Sequence, residues 1–448
     1  MTDLPSAFPV PEKKASPVST LAPPPPAAAT PPRQPPSPNS QGGLGLRLKR
    51  AVAATLGGRA VLRPVSTLLR HDAPILKLGK RVVVSRHPDV LEVLTRDTDF
   101  TIHEVNGPSI DRISGPFILE MDRGPTYDRD HAVLRAVARF DDLPRVRALA
   151  RDAAARRVEA ARPSGRIEAV QGLTRAVATE LVAGYFGFPG PDPATVQRWL
   201  RTLFQEAFAN PIADPFVLQA ALRSRAEVEA WLPGELARRR AAGVADADDV
   251  LGRMLAMQGP ERAWLDDDWI RRNICGLVVG AVDTTSRFSV LALDELLRRP
   301  AELAGAAAAA RAGDLDAVRQ YAWEAVRFNP HTPLMTRFCP RDTVLAAGTP
   351  RERKVAAGST MFVMTLSASF DPAAVPEPAR FRTDRDIRSY LHFGWGMHQC
   401  FGLALNCETI PEIVASLLRL PNLRRAPGAA GHVVLDGPFP DRWELEFG

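Results

Sequence analysis

The sequence predicts a mainly α protein with minor β, an α+β chain built as one large helical domain carrying small sheets. Three observations predict it. From about residue 140 to 330, apolar residues recur at helical spacing in a stretch rich in Ala, Arg and Leu. Short β-branched runs bounded by turn residues lie on either side of that stretch. No linker-like segment interrupts residues 70–448 of the 448, and 45% apolar residues against 24% charged supply a large core.

The elements follow in chain order. Residues 1–45 stand apart as a tail. The first forty residues hold thirteen Pro and few bulky apolar side chains, so burial cannot offset the cost of ordering them. The expectation is a disordered, partly polyproline segment, either a tether or dispensable, ahead of a single domain over 46–448. Residues 46–70 carry Leu46, Leu48, Val52, Leu56, Val61 and Leu62 among basic residues. That pattern reads as a packed opening helix, with a membrane-surface helix as the other reading. A hairpin follows, Ile75, Leu76 and Leu78 running into Gly79-Lys80 and out through Val82, Val83 and Val84. Helix resumes from Pro88 through Leu94. The helical stretch breaks at Pro163, at Gly187-Phe188-Pro189-Gly190, at Pro211 and at Gly259-Pro260. A long helix is expected over 266–299, with Asp266 as N-cap and Pro300 as its stop. Strands are expected at Thr343-Val344-Leu345 and Thr360-Met361-Phe362-Val363. A last helix is expected from near Cys400 to Leu418, kinked at Pro411.

Composition excludes several classes. Lys and Arg number 57 against 51 Asp and Glu, a net charge of +6, with no dense basic run interleaved with aromatics. That is no footprint for nucleic acid. Four scattered cysteines are too few for a disulfide scaffold and read as reduced thiols. The longest apolar run, residues 274–282, is too short to span a bilayer, and no signal peptide opens the chain. A cytoplasmic protein without a transmembrane anchor is expected.

Four patterns carry chemistry. The strongest is Phe393-Gly394-Trp395-Gly396-Met397-His398-Gln399-Cys400-Phe401-Gly402. Its glycines permit tight bends and close backbone approach to something flat. Its lone Cys sits just before a helical pattern, where backbone N–H groups favour a thiolate. One thiolate makes neither a zinc nor an iron–sulfur site, but it can supply one axial ligand to a haem iron. On its own, a buried small hydrophobe is the commoner fate of such a Cys. The second pattern, Glu324-Ala325-Val326-Arg327, puts an acid and a base on one helix face, followed by Pro330 and Pro333. The third, Gly280-Ala281-Val282-Asp283-Thr284-Thr285, interrupts an apolar helix; a Thr back-bonded to the preceding turn is the plain reading. In the fourth, His131 and Arg135 share a helix face and could bind a carboxylate together.

The loop pattern Phe-Gly-x-Gly-x-His-x-Cys-x-Gly resembles the haem-binding loop of the cytochrome P-450 family, and the other patterns fall in that family's order from the hairpin to the C-terminus. The resemblance implies haem b with Cys400 as the axial thiolate and Phe393 packed beside it. It implies that His131, Arg135, Arg337 and His398 lie near the haem propionates. It further implies a buried network of Glu324, Arg327 and Arg380, the last from Pro378-Ala379-Arg380-Phe381, supporting the Cys loop. Thr284 would hydrogen-bond dioxygen and Asp283 would help relay protons.

Some positions depart from the family pattern. Ala281 replaces a common Gly, Tyr390 stands where many bacterial members have a propionate-binding His, and Asn406-Cys407 replaces a common Ala-Arg pair. Residues 122–130 form a longer loop than usual. The implied activity is insertion of one oxygen atom from O2 into a small apolar substrate, with electrons from an external ferredoxin-type donor. Substrate contacts are expected from the loop at 107–119 with Phe117 and Ile118, from Val279 and Gly280, and from Leu334 and Met335. A peroxide- or hydroperoxide-using enzyme of the same fold and a non-enzymatic haem sensor or carrier are the alternatives.

Overall fold

The computed structural model describes residues 36–243 and 248–448. Residues Ser37–Gly448 form one compact unit. The proline-rich segment up to residue 35 lies outside the described residues. Regular structure is present ahead of residue 46: Pro38–Ser40 form a 3-10 turn and the first helix starts at Leu44. Arg50 fixes this entry, its guanidinium on Asp214 at 2.6 Å and on the carbonyls of Asn39 and Pro38.

The opening segment is two helices, Leu44–Gly57 and Arg59–Asp72. The first is held by Arg50 and not by its apolar stripe. Leu44, Leu48 and Val52 are 85%, 63% and 49% exposed, which corrects the packed-helix expectation. The hairpin forms as read, Ile75–Leu78 against Arg81–Val84. Strand Ser359–Val363 joins it in parallel, Val84 opposite Val363, and Met335–Cys339 closes the sheet antiparallel, Met335 opposite Val363. Alternate residues Val82, Val84, Met361 and Val363 are buried beneath helix His87–Thr95.

Helices make up most of the rest. The C-terminal helix Leu403–Leu418, with Pro411 inside it, packs on Leu143–Ala161 and on Leu315–Phe328. That arrangement anchors the Cys loop at its exit. The segment expected as one helix over 266–299 is two, Asp267–Val279 and Asp283–Leu296. Asp266 caps the first through Trp269 N–H at 2.7 Å. Pro300 starts the next helix, Pro300–Ala312, in place of merely stopping the last. Among the described residues, Asp267–Leu296 is the one stretch long and apolar enough to cross a membrane; here it runs through the core.

Candidate functional site

The Cys loop is built by backbone bonds that its glycines make possible. Cys400 N–H donates to Phe393 O at 2.8 Å, and Gln399 N–H to Gly396 O at 3.0 Å. Gly394 and Gly396 sit at φ +74° and +73°, a region costly for other residues. At Gly396 a Cβ would lie 2.4 Å from Leu94 O, so no side chain fits. Phe393 stacks between Phe288 and Trp323, with ring centroids 5.5 and 5.6 Å away. Tyr127 donates its hydroxyl to Met397 O at 3.0 Å and pins the loop from the helix Pro125–Val137.

Two arginines and two imidazoles surround this loop. Arg135 lies over the Phe401 ring at 3.7 Å and, among the described residues, pairs with no carboxylate. Burial lowers its guanidinium, and Cys400 nearby opposes that. Arg337 is buried and, among the described residues, donates to its neighbour's carbonyl, Thr336 O, at 2.8 Å. Burial brings it down to about 10. His398 has an enclosed Nδ1 with no partner, and burial brings its imidazole to about 4. His131 stacks on Tyr127 and meets Phe401 edge-on at 5.8 Å. Burial pushes the Cys400 thiol up, while the Gly402 N–H and the Arg135 guanidinium pull the other way.

Beneath the loop, Glu324 is fully buried. Arg327 grips it from Nη2 at 2.6 Å and Nε at 2.9 Å. The third member of the network is Arg385, whose Nε lies 3.3 Å from Oε1. This corrects the assignment of Arg380. That side chain is 71% exposed and pairs with Glu377; only its carbonyl joins the network, accepting from Arg327 and Arg385 at 3.2 Å each. Arg382 N–H and the Tyr390 hydroxyl complete the carboxylate's shell at 3.0 and 2.9 Å. With this many donors, Glu324 is held below its usual range despite burial.

Above the loop lies the break between the two central helices. The Thr284 hydroxyl donates to Gly280 O. It thereby competes for a carbonyl that a continuous helix would give to a backbone N–H, which separates the two helices at 280–282. Asp283 turns away into a cationic nest: Arg201 reaches Oδ1 at 2.9 Å and Arg175 at 3.1 Å. Arg201 also bonds Asp441 and Pro440 O at 3.0 Å. A π-helical turn, Val170–Thr174, precedes the helix that carries Arg175. Break and loop are tied together: Thr285 Oγ1 donates to Asn406 Oδ1 at 2.9 Å, and Asn406 Nδ2 donates to Gly402 O at 3.0 Å.

The Cytochrome P450 family profile matches residues 236–420. Over that stretch the chain is similar to the cytochrome P450 family. A crystal structure of CalO2 superposes with a TM-score of 0.74 at 24% identity, over 87% of this chain and 96% of that one. Cytochrome P450 monooxygenase PikC of Streptomyces venezuelae is 26% identical over 264 residues, 59% of this chain and 58% of that protein. Psi-producing oxygenase A of Emericella nidulans is 46% identical over 84 residues, 18% of this chain. The matched stretch spans only 8% of the Psi-producing oxygenase A chain.

The cofactor of a P450 is iron protoporphyrin IX held by a cysteine thiolate. The residues here fit it. One thiol ends a loop whose glycines allow close approach, and orphaned donors on Arg135, Arg337 and His398 suit a pair of carboxylates. Among the described residues no three His, Cys, Asp or Glu side chains converge as a metal site, so the loop offers a single protein ligand.

The expected pocket residues separate on inspection. Ile118 and Leu119 line a cleft with Tyr127, His131, His398 and Phe401, and so face the loop. Phe117 packs on Gly276, where a Cβ would come within 2.4 Å of its ring. Val279 is buried beside the helix break, and Gly280 caps it. Met335 Cε sits 3.6 Å from where a Cβ would stand on Gly394. Leu334 is 38% exposed and is no core residue.

The sequence reading missed Arg175, Arg201, Arg385 and the role of Tyr390. Tyr390 bonds Glu324 and stacks on His392, whose Nε2 lies 2.8 Å from Trp323 O. The departure noted at Tyr390 was the available signal for that role.

Proposed function

We propose that this P450 is a monooxygenase that inserts one oxygen atom into an organic substrate, R–H + O2 + 2 e⁻ + 2 H⁺ giving R–OH + H2O. The observation that carries the reading is the link Thr285–Asn406–Gly402, which holds the Asp283-Thr284 break against the Cys400 loop. When bound, a haem would supply the redox chemistry. Cys400 would hold its iron through the thiolate, and Phe393 would shield the sulfur from water. Arg135, Arg337, His131 and His398 would hold the propionates. Thr284 would offer its hydroxyl to the reacting oxygen, and Asp283 would pass protons inward from the polar cluster behind it. Phe117, Ile118, Val279, Gly280 and Met335 shape an apolar chamber, with Leu334 at its rim. Electrons come from a separate ferredoxin-type donor, since no flavin or iron–sulfur motif stands in this sequence. Four free thiols suit a reducing, cytoplasmic setting.

The test is spectroscopic and kinetic. Reduced, carbon monoxide-treated protein should show the thiolate band, and Cys400→Ala should lose it. Reduced ferredoxin with oxygen should turn over substrate. Turnover with peroxide alone, and none with the donor, would replace this reading with a peroxide-using enzyme. Haem loading without product under saturating donor would leave a carrier or sensor.

A further inference from the structure

The first helix, Leu44–Gly57, has two unlike faces. Leu46, Arg50 and Ala53 are half-buried and turn toward the protein. A Cβ on Gly42 would meet Leu46 Cδ2 at 2.8 Å and Phe216 Cε2 at 3.1 Å, so Leu46 packs inward. Arg50 reaches Asp214 beside it. Leu44, Leu48 and Val52 turn the other way and are exposed. At about 100° per residue these three share an arc of about 80°, opposite the packed face. An exposed row of large apolar side chains marks an interaction surface. The second helix, Arg59–Asp72, repeats the pattern: Val65 and Leu68 share a face and are 41% and 63% exposed.

Charge identifies the partner. From residue 36 to 71 the sequence has no Asp or Glu, against Arg47, Lys49, Arg50, Arg59, Arg63 and Arg70. Arg47 and Lys49 are exposed and flank the apolar arc, about 60° to either side of it. Arg47 donates to Gly42 O at 3.2 Å, and among the described residues neither cation pairs with an acid. Apolar side chains between two cations fit a planar anionic interface. The leucines enter below the headgroups, and the long basic side chains reach back to the phosphates. At about 1.5 Å per residue the helix is about 21 Å long, short of the roughly 30 Å of hydrocarbon, so it would lie on a bilayer and not cross it. A second copy of this face would set like charges against each other, which disfavours self-association through it.

We propose that helix Leu44–Gly57 seats this protein on an anionic lipid surface, with Leu44, Leu48 and Val52 entering the interface and Arg47 and Lys49 holding the headgroup phosphates. The contact is peripheral and reversible, since one short helix buries too little apolar surface for permanent anchoring. It does not depend on the reaction assigned to the Cys400 site. Each cation near the surface contributes about fivefold in affinity at moderate salt, and burying each leucine contributes about tenfold or more.

The experiment uses the full-length, haem-loaded protein and vesicles of phosphatidylcholine, alone or mixed equally with phosphatidylglycerol, with binding read by co-sedimentation at low and high salt. The expected result is binding to the anionic vesicles at least about tenfold tighter than to the neutral ones, weakened by salt. Arg47→Gln with Lys49→Gln should weaken anionic-vesicle binding by about tenfold or more. Leu44→Ser with Leu48→Ser should do the same. All four positions are exposed, so both double variants should keep the parent's carbonyl spectrum and unfolding midpoint. The proposal fails if the parent ignores anionic vesicles at low salt, or if either double variant binds them as the parent does. It fails equally if the parent sediments as a dimer that Leu44→Ser with Leu48→Ser dissolves, which would give the face to a second copy of the chain.

Discussion

The Tyr390 hydroxyl lies 2.9 Å from Oε2 of Glu324, so the carboxylate under the Cys loop is satisfied by a phenol as well as by two arginines. Burial and the carboxylate together push the Tyr390 phenol up, so it stays a donor at any working pH. Removing one partner of a buried charge costs far more than removing one neutral hydrogen bond. Arg385→Leu should therefore destabilise the protein by about 3 kcal/mol or more and empty it of haem. Tyr390→Phe should cost only about 1 kcal/mol and keep the spectrum. Arg380→Ala, at an exposed position, should change neither. Haem-to-protein ratio and urea unfolding midpoints measure all three.

The contrast between Arg385 and Arg380 shows what was legible in the sequence. The Cys loop could be read because its geometry is local: two glycines at positive φ and one thiol lie within seven residues. The hairpin and the capped helix at Asp266 were readable for the same reason. The second arginine on Glu324 was not. Whether Arg380 or Arg385 turns inward depends on the path of residues 376–385, where Arg385 bonds the carbonyls of Pro376 and Glu377. Arg175 and Arg201 were invisible because their partner Asp283 lies 108 and 82 residues downstream, and only tertiary packing joins them. The split of the long helix was half legible. Gly280 and Thr284 stood in the sequence, but a hydroxyl taking the carbonyl is a choice made in the folded chain.

Gly394 and Gly396 separate backbone strain from collision. Both sit at positive φ, but only at Gly396 would a Cβ strike the main chain, 2.4 Å from Leu94 O; at Gly394 the nearest atom stands at 3.4 Å. Gly394→Ala should cost about 1–2 kcal/mol, the price of the left-handed conformation. Gly396→Ala must displace helix His87–Thr95 or the loop, and should cost about 3 kcal/mol and most of the haem. Thermal melts and the absorbance ratio of haem to protein distinguish them.

Thr284 and Asp283 should fail differently when replaced. Thr284→Ala loses a hydroxyl bonded to Gly280 O but leaves no charge unpaired. Stability should hold, while product formed per electron consumed falls and hydrogen peroxide rises. Asp283→Asn strips the shared counter-charge from Arg175 and Arg201. It should slow turnover by roughly 10²-fold and also lower the unfolding midpoint. Electron consumption, peroxide and product measured together on both variants give the test, with calorimetric melting as the second readout.

Glu120 should give the protein a pH dependence located beside the 107–119 segment. Its side chain is buried next to Ile118 and Leu119, and Oε2 has no partner. Burial and the Asp111 carboxylate push it up to about 8, against a smaller pull from Arg272. The folded protein therefore keeps a proton that the unfolded chain releases near the ordinary carboxylate value of 4.5. Its contribution to stability is complete below that value, declines as pH rises, and is lost by about 8. The melting temperature should fall between pH 5 and 8 and then level off as far as this group governs it. Glu120→Gln mimics the protonated form, so it should flatten that slope and leave the variant more stable than the parent at pH 8. Melts of the two proteins across the range decide it, and parallel curves would assign the pH dependence to other groups.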